Sequence, residues 1–290
     1  MTLRKRMIVA GVLTAAVLIT KNRVVSSADW GDDHGGHQAS STWKWHGEVE
    51  DGNWVHIRNL NGAVRVENAE DGELEVLATK RVRRGTARDV RIVTNQRDGD
   101  VYVCALYNGK GQCDENGYHT TTGVSWWKKM LGKHSDVAVS FVVRLPEGVK
   151  IDANTVNGGI TIDGVLSEVK ASTVNGGVKA TTSMGPMRIS TVNGSISARV
   201  DSLGEDGGVS LSSVNGSVVA ELPDKIDGQL DLSTVNGRYS TDFPVTMSGP
   251  ISTKHLRATL GKGGSTIKLK TVNGSVTLRK HSAHSASPEG

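Results

Sequence analysis

The chain has 290 residues, with 4% aromatic residues, 35 glycines and a formal net charge of +4. This length allows one or two domains with sizeable cores, and low aromatic with high glycine content is typical of turn-rich all-β proteins. Basic and acidic residues are interleaved, and no recognition-helix or aromatic RNA motif accompanies the basic run Lys80–Arg84. We therefore predict that this run is a solvated face and expect no nucleic-acid partner, with a nucleic-acid or anionic-polymer patch as the alternative.

The first 28 residues have the features of an export signal. Residues 4–6 are basic, Met7–Thr20 is an apolar run of 14 residues, and residues 26–28 are small, as a cleavage site requires. The run is short for a membrane span, so we predict a cleaved signal peptide over 1–28. The mature chain is then exported to the periplasm, the cell surface or the medium. Because basic residues follow the run directly, an uncleaved N-terminal anchor is the alternative and the only membrane contact that we expect.

Residues 29–50 are polar and rich in His, Gly and Asp. We predict a linker here, and weak metal binding through His34, His37 and His46 is the alternative. The folded domain is predicted to span 51–279, with its first corner at Leu60-Asn61-Gly62 and a polar tail at 280–290.

Short strands are expected near 74–78, 90–93 and 101–106, where β-branched and aliphatic residues cluster. Cys104 and Cys113 follow, and a close cysteine pair in an exported chain predicts a disulfide. Their spacing is not that of a redox CxxC motif, and two cysteines alone cannot form a four-cysteine zinc site.

An insertion over 107–135 interrupts the strand pattern and contains the adjacent pair Trp126 and Trp127. Two neighbouring tryptophans in a polar segment are candidates for covering an open end of the fold, which exposes a core and a strand edge. The alternative is a binding site for sugar or membrane. Regular strands are expected to resume at Val137–Leu145.

The tripeptide Val-Asn-Gly recurs six times between residues 156 and 274. From Asn157 onward the asparagines follow one another at intervals of 18, 18, 22, 21 and 37 residues. A period near 20 residues predicts stacked repeats. The 37-residue interval is about twice the others, so we expect a degenerate repeat near Leu256–Leu260 with the following glycines as its turn.

Counting from each asparagine as position zero, positions −6, −4, +3 and +5 hold mainly aliphatic residues, and polar residues lie between them. This period of two predicts a half-buried strand on each side of the tripeptide. Asn-Gly would suit the turn of a β-hairpin, and Val-Asn-Gly would suit the corner of a β-solenoid. We favour an all-β solenoid, in which one chain coils into stacked rungs of about 18–22 residues. A solenoid corner allows the valine at −1 to point inward and uses the tolerance of Asn and Gly for positive φ.

Stacked corners would place the asparagines about 4.8 Å apart, which allows their amides to hydrogen-bond as a ladder. We expect this ladder to stabilise the domain, and a row of amides that binds a ligand is the alternative. The threonines and serine at −2 are expected to line the corner, with a water-ordering array as the alternative. The predicted ladder comprises Asn61, Asn157, Asn175, Asn193, Asn215, Asn236 and Asn273.

Four motifs occur together: Asn59–Val64, Leu145–Val149, the Thr-Val-Asn-Gly series, and a glycine-rich turn before Thr271–Val276. Over roughly 51–279 the chain thereby resembles the bacterial putative-adhesin family, an exported β-solenoid domain of unknown function. The resemblance implies a location in the cell envelope or at its surface and no known catalytic residues. The insertion departs from the family's plain repeat, so nothing carries over to it.

Enzymes that cleave polysaccharides on β-helices need clustered carboxylates on neighbouring rungs, often with calcium. In chain order the outward position −5 instead holds Asp152, Lys170, Arg188, Ser210, Asp231 and Lys268, so charges of opposite sign are mixed. We therefore predict a non-catalytic, adhesin-like scaffold or binding module of the envelope, without metal or cofactor. Its expected partner is an envelope protein or a polysaccharide. The alternative is a β-helix protein that acts on or binds polysaccharide.

Overall fold

The fold is built almost entirely from β-strands. A computed structural model of the chain describes residues 40–107, 112–114, 117–119, 136–204, 207–247 and 252–281. The predicted signal peptide lies outside these residues. The described part of the chain contains no helix with the length and apolar character that a membrane span requires. Apart from a 3-10 helix at Ala87–Asp89, its elements are the strands β1 (Ser40–Gly47), β2 (Trp54–Arg58), β3 (Val64–Asn68), β4 (Leu74–Arg84), β5 (Val90–Arg97), β6 (Asp100–Tyr107), β7 (Gln112–Asp114), β8 (Gly117–His119), β9 (Asp136–Leu145), β10 (Lys150–Asn154), β11 (Ile160–Val165), β12 (Val169–Asn175), β13 (Val178–Thr182), β14 (Met187–Asn193), β15 (Ile196–Val200), β16 (Val209–Asn215), β17 (Val218–Pro223), β18 (Gly228–Asn236), β19 (Tyr239–Thr241), β20 (Thr246–Met247), β21 (His255–Leu260), β22 (Thr266–Asn273) and β23 (Val276–His281).

Two long sheets face each other across one core. Sheet A has the strand order β1-β4-β9-β3-β11-β13-β15-β17-β23-β19, and sheet B has the order β20-β21-β18-β22-β16-β14-β12-β10-β2-β6-β5. The two strands that flank a Val-Asn-Gly corner lie in different sheets, and each pairs in parallel with the matching strand of a neighbouring repeat. Each repeat is therefore a rung of a β-solenoid, and the hairpin alternative is wrong.

The core consists of the aliphatic side chains that the repeat pattern marks. Positions −6 and −4 are buried in all seven rungs, and positions +3 and +5 are buried in six of them. Two half-buried residues, Tyr239 and Thr241, occupy the latter positions in the remaining rung, which lies at an end of the stack. Parallel pairing in exact register places identical positions above one another, so the core is a continuous column of aliphatic layers.

The asparagine side chains form a hydrogen-bonded ladder along the corners. The ladder has the spatial order Asn61, Asn157, Asn175, Asn193, Asn215, Asn273 and Asn236. From Asn157 onward, each Nδ2 donates to the Oδ1 of the asparagine before it in this order over 2.7–2.9 Å. A second ladder lies beneath it. The buried hydroxyl at −2 donates to the carbonyl oxygen of a corner glycine in the adjacent rung over 2.7–3.1 Å. The −2 hydroxyls thus line the corner from inside.

At most corners the glycine is required for close packing between rungs rather than for its backbone conformation, and only Gly62 and Gly274 among the corner glycines also have positive φ. A Cβ atom at Gly176 or Gly194 would lie 2.0 Å from the carbonyl oxygen of the corner glycine in the adjacent rung. The expectation of positive φ at the asparagines is wrong, because Asp98 is the only described residue other than glycine with positive φ.

The valine at −1 points outward, which contradicts the expectation that it turns inward. Val192, Val214 and Val272 are 39–40% exposed, and Val235 is 60% exposed. The strand before the corner continues through the asparagine, so side chains still alternate there. The threonine at −2 takes the inward place and leaves the valine on the outside.

The rungs do not stack in chain order. The rung of β22 and β23 lies between the rung of β16 and β17 and the rung of β18 and β19. The expected degenerate rung near Leu256–Leu260 is wrong: these residues form β21, which pairs antiparallel with β18 at the edge of sheet B. A strand that runs backward along the edge returns the chain to the other side of β18, where β22 pairs in parallel. The expected glycine turn after β21 is present, with positive φ at Gly261, Gly263 and Gly264.

At the opposite end, β6 and β9 act as a rung whose corner is replaced by the insertion. They pair in parallel with β2 and β3, which flank the first corner at Asn61. The hydroxyl of Tyr107 lies 3.2 Å from both the backbone nitrogen and the carbonyl oxygen of Asn61. Tyr107 therefore satisfies the backbone groups that a further Val-Asn-Gly corner would otherwise pair.

Part of the expected linker is a strand. Ser40–Gly47 forms β1, which pairs antiparallel with β4 at the edge of sheet A. The physical reason is the alternation in this stretch, because half-buried Trp43 and Trp45 pack against the core while polar residues face outward. The expected tail also begins later than 280, because β23 continues through the buried His281.

Candidate binding face

The outer face of sheet B carries the largest group of interacting polar and aromatic side chains among the described residues. Because its central strands are parallel and in register, position −5 of every rung lies in one row. In space this row reads Tyr102, His56, Asp152, Lys170, Arg188, Ser210, Lys268 and Asp231. A parallel row at position −3 contains Arg58, Asn154, Ser172, Ser190, Ser212 and Lys270. We call these two rows the sheet B face.

Asp152 on β10 holds one end of the sheet B face together. Its Oδ2 accepts a hydrogen bond from Arg58 Nη2 over 2.5 Å and lies 3.0 Å from His56 Nδ1. Its Oδ1 accepts from Asn154 Nδ2 over 2.7 Å. Both carboxylate oxygens are therefore occupied within the protein, and the carboxyl group serves as a structural hub.

The pKa of Asp152 reflects these contacts. Burial by itself would raise the pKa, but the hydrogen bond with His56 and the positive charge of Arg58 outweigh burial and lower the pKa from 3.8 to about 2. The side chains of Asp152, His56 and Arg58 are only 14–17% exposed. The carboxyl group is ionised at any physiological pH, so it is unsuited to act as a general acid.

Aromatic rings lie beside this hub. The His56 ring stacks on Tyr102 with 4.5 Å between ring centroids, and the Trp54 ring lies 6.0 Å from His56. The ammonium group of Lys170 sits 3.8 Å from the centroid of the Trp54 ring, close enough for a cation–π contact. One face of Trp54 is therefore covered by Lys170 and is not a free stacking platform.

The middle of the sheet B face is positively charged. We call Lys170, Arg188, Lys268 and Lys270 the cationic stripe. Lys170 Nζ lies 3.5 Å from Glu168, whereas among the described residues no carboxylate lies within 4.0 Å of Arg188, Lys268 or Lys270. Exposed serine hydroxyls accompany these cations, and the hydroxyls of Ser172 and Ser190 are 3.1 Å apart. Such a surface can bind negative charge and hydroxyl groups at the same time.

The acidic residues that border the cationic stripe have partners of their own. Asp231 Oδ1 lies 3.0 Å from His255 Nε2 on β21, and Asp152 is bound to Arg58. The stripe is thus flanked by engaged carboxylates at both ends and carries uncompensated positive charge in its centre.

The described start of the insertion lies on the same face. Cys104 on β6 is joined by a disulfide to Cys113 on β7, and their Cα atoms are 5.9 Å apart. Together with Tyr102 and Leu106 they form a small apolar cluster outside sheet B. Trp126 and Trp127 lie outside the described residues, so their role as a cap or a binding site stays a prediction.

The described residues offer no group of three or more His, Cys, Asp or Glu side chains arranged to hold a metal ion. His34 and His37 lie outside them, and His46 on β1 lies 3.8 Å from Glu75 on the outer face of sheet A. The asparagine ladder uses its amides internally.

Sequence reasoning identified the row at −5 but not the cationic stripe. In chain order Asp231 separates Ser210 from Lys268, whereas in space Lys268 follows Ser210 directly. In the sequence, the only sign that the order of the rungs changes was the 37-residue interval between the last two corners, which contains the antiparallel strand β21.

Stacked parallel rungs with an internal asparagine ladder and a long polar side wall define a β-solenoid repeat protein. The Toastrack DUF4097 family matches residues 92–279, which is more than half of the chain, and the chain belongs to this family. No curated protein matches the sequence.

The chain is similar to several solved structures. A putative cell adhesion protein from Clostridium sporogenes is 10% identical, with 84% of this chain and 100% of that chain covered and a TM-score of 0.48. A putative adhesin from Bacteroides fragilis is 9% identical, with coverage of 85% and 98% and a TM-score of 0.32. A putative adhesin from Parabacteroides merdae is 12% identical, with coverage of 85% and 97% and a TM-score of 0.25.

Proposed function

We propose that the chain is an exported, non-catalytic scaffold of the cell envelope, adhesin-like in that its side wall binds an envelope polymer or protein. The observation that carries this proposal is the continuous sheet B face, in which one outward position per rung repeats along the whole stack. Solenoids commonly use such extended surfaces for binding, because each added rung lengthens the surface without changing its shape.

The state of the carboxylates supports binding rather than cleavage. Glycoside hydrolysis needs a pair of carboxyl groups on either side of the scissile bond, one of them with a raised pKa. On the sheet B face, Asp152 has a lowered pKa and Asp231 lies against His255. Neither is placed to protonate a leaving group.

The test is binding of the purified, fluorescently labelled chain to isolated cell envelopes of the producing organism. We expect saturable binding that an excess of unlabelled chain displaces. Treating the envelopes with protease or with periodate, which oxidises sugars, separates a protein partner from a polysaccharide partner. Absence of saturable binding would refute the proposed function, and so would release of sugar fragments from a polysaccharide panel.

A double variant tests whether the insertion contributes to envelope binding. Trp126→Ala combined with Trp127→Ala is expected to weaken envelope binding if these tryptophans contact the partner, and to lower only the melting temperature if they cap the solenoid. Cell fractionation and mass spectrometry of the mature N-terminus test export. A chain that begins at residue 29 supports a cleaved signal, whereas a membrane-bound chain that begins at Met1 supports the anchor.

A further inference from the structure

We infer that the cationic stripe on the sheet B face binds an anionic polysaccharide whose chain lies across the strands, parallel to the solenoid axis. This inference rests on the proposed function and specifies its ligand as a glycan that bears carboxylate, sulfate or phosphate groups.

The first argument is uncompensated charge. Arg188 is exposed, Lys268 and Lys270 are half-buried, and none of the three has a carboxylate partner among the described residues. Cations grouped within a few strands of one another repel each other, so an anion that lies between them is favoured. On the outer face of sheet A, by contrast, Arg144 bridges two carboxylates, Glu67 and Glu75. The exposed cations Lys179 and Arg279 of that face are not grouped, because β15 and β17 lie between their strands.

The second argument is the way in which the fold gathers these charges. Lys268 and Lys270 lie on β22, which inserts next to β16 and so brings both lysines within two strands of Arg188 on β14. From Lys170 to Lys268 the stripe crosses three strand spacings, roughly 14 Å. If the rungs stacked in chain order, Asp231 would occupy the place of Lys268 and interrupt the stripe.

The third argument is the chemistry between the cations. Ser190 and Ser212 are exposed, and Ser172 and Ser210 are half-exposed. Hydroxyl groups both donate and accept hydrogen bonds, which suits the hydroxyl groups of sugar rings. Because neighbouring strands lie about 4.8 Å apart, the serines offer polar contacts at short, regular steps within the same two parallel rows as the charges.

The same surface is poorly suited to other polyanions. Single-stranded nucleic acid binds mainly by stacking bases on aromatic rings. On the sheet B face Tyr102 is buried, and one face of the Trp54 ring is covered by Lys170. Binding at a membrane surface would favour apolar side chains that enter the lipid. The rows at −5 and −3 between β12 and β22 contain none, and the exposed valines of these strands are confined to the row at −1 beside the corner.

The experiment compares Arg188→Gln/Lys268→Gln with Lys179→Gln/Arg279→Gln. The control pair removes the same charge from exposed positions on the outer face of sheet A. Binding of the full-length exported chain is measured against dextran sulfate, polygalacturonate, neutral dextran and duplex DNA. All four altered side chains project from the sheets, so both variants should keep the wild-type melting temperature.

We expect the wild-type chain to bind dextran sulfate or polygalacturonate, but not neutral dextran, and to bind more weakly as salt is raised. Exposed ion pairs are individually weak, so loss of two cations should weaken binding roughly tenfold, while the control variant changes it less than about twofold. Preference for dextran sulfate over polygalacturonate would assign sulfate or phosphate groups rather than carboxylates to the ligand.

An equal loss of glycan affinity in both variants, or no loss in either, would overturn the inference. So would binding of duplex DNA that is tighter than binding of the anionic glycans. Failure to bind both anionic glycans would overturn it as well. These outcomes are distinguishable from failure of the proposed function, because the same proteins are tested on isolated envelopes. If the Arg188→Gln/Lys268→Gln variant binds envelopes as well as the wild type does, the chain has the proposed function but not this ligand site.

Discussion

Gly194→Ala should strongly destabilise the solenoid, although it adds only one methyl group. Gly194 is the corner glycine of the fourth Val-Asn-Gly-type corner along the stack, and its backbone does not lie in the left-handed region. Alanine could therefore adopt the same φ and ψ. The obstacle is space, because the new Cβ would lie 2.0 Å from the carbonyl oxygen of Gly176 and 2.5 Å from its carbonyl carbon.

The expected magnitude follows from what holds the two rungs together. An ordinary contact between the new Cβ and this oxygen is roughly 3.4 Å long. The two rungs would therefore have to move apart by more than about 1 Å. The backbone cannot give this, because Gly176 is held by the amide-to-carbonyl bond to Asn193 at 3.0 Å and by the Thr191 hydroxyl at 2.9 Å. Overpacking costs about 1–3 kcal/mol, and losing two hydrogen bonds adds about 2 kcal/mol. Stiffening of the unfolded chain offsets less than about 1 kcal/mol, so we expect a net loss of about 3 kcal/mol.

Thermal unfolding followed by circular dichroism measures this loss, which should lower the melting temperature by about 6–12 °C for a chain of this size. Gly177→Ser is the matched control, since its Cβ would lie 3.2 Å from the nearest atom. Other rungs already carry serine at this position, for example Ser195 and Ser217. A Gly194→Ala melting temperature within about 2 °C of the wild type would refute the close-approach explanation of the corner.

Three further predictions concern side chains. Asn193→Ala removes one donated and one accepted amide hydrogen bond at an exposed site. Chemical denaturation should therefore show a free energy of unfolding lower by about 1–2 kcal/mol, while envelope binding is kept. An unchanged melting temperature would count against a stabilising ladder. Asp152→Asn should cost about 2 kcal/mol at neutral pH, because the native pKa of about 2 lies below the ordinary 3.8. A depressed carboxyl pKa stabilises the fold above the unfolded value and loses this effect as pH falls through the native value, so the difference between wild type and variant should shrink between pH 4 and pH 2; a pH-independent difference would contradict this. Cys104→Ser should lower stability by about 2–3 kcal/mol, and dithiothreitol should reduce the melting temperature of the wild type but not of the variant.

The individual rung was largely predictable from the sequence. Alternation with a period of two identifies Val55 and Ile57 as core residues, and the same reasoning holds for the corresponding positions of the later rungs. The corner was predicted less well. A sequence shows that valine and glycine recur, but not whether the strand continues through the asparagine, and that continuation decides the outward direction of Val192.

The order of the rungs could not be predicted, because all rungs are nearly equivalent in pattern. Positions −6 and −4 of β18 and β22 would pack equally well beside β16, so local hydrophobicity does not choose between them. The choice follows from the antiparallel edge strand β21. Its contacts with β18 join residues that are 22 positions (Ser233 and His255) to 32 positions (Gly228 and Leu260) apart, and they leave no periodic signal. The cationic stripe depends on that order, so it was missed for the same reason.

The insertion of β22 between β16 and β18 has a consequence for how the protein is made. In an ordinary solenoid each new coil is added to the growing end, and removal of a terminal coil shortens the stack without opening it. Here residues 266–281 supply an interior coil, so until they arrive β18 has only the edge strand β21 beside it and β19 lacks its partner β23. Deletion of these residues would remove the middle of the stack rather than its end, and assembly cannot proceed strictly in the direction of synthesis.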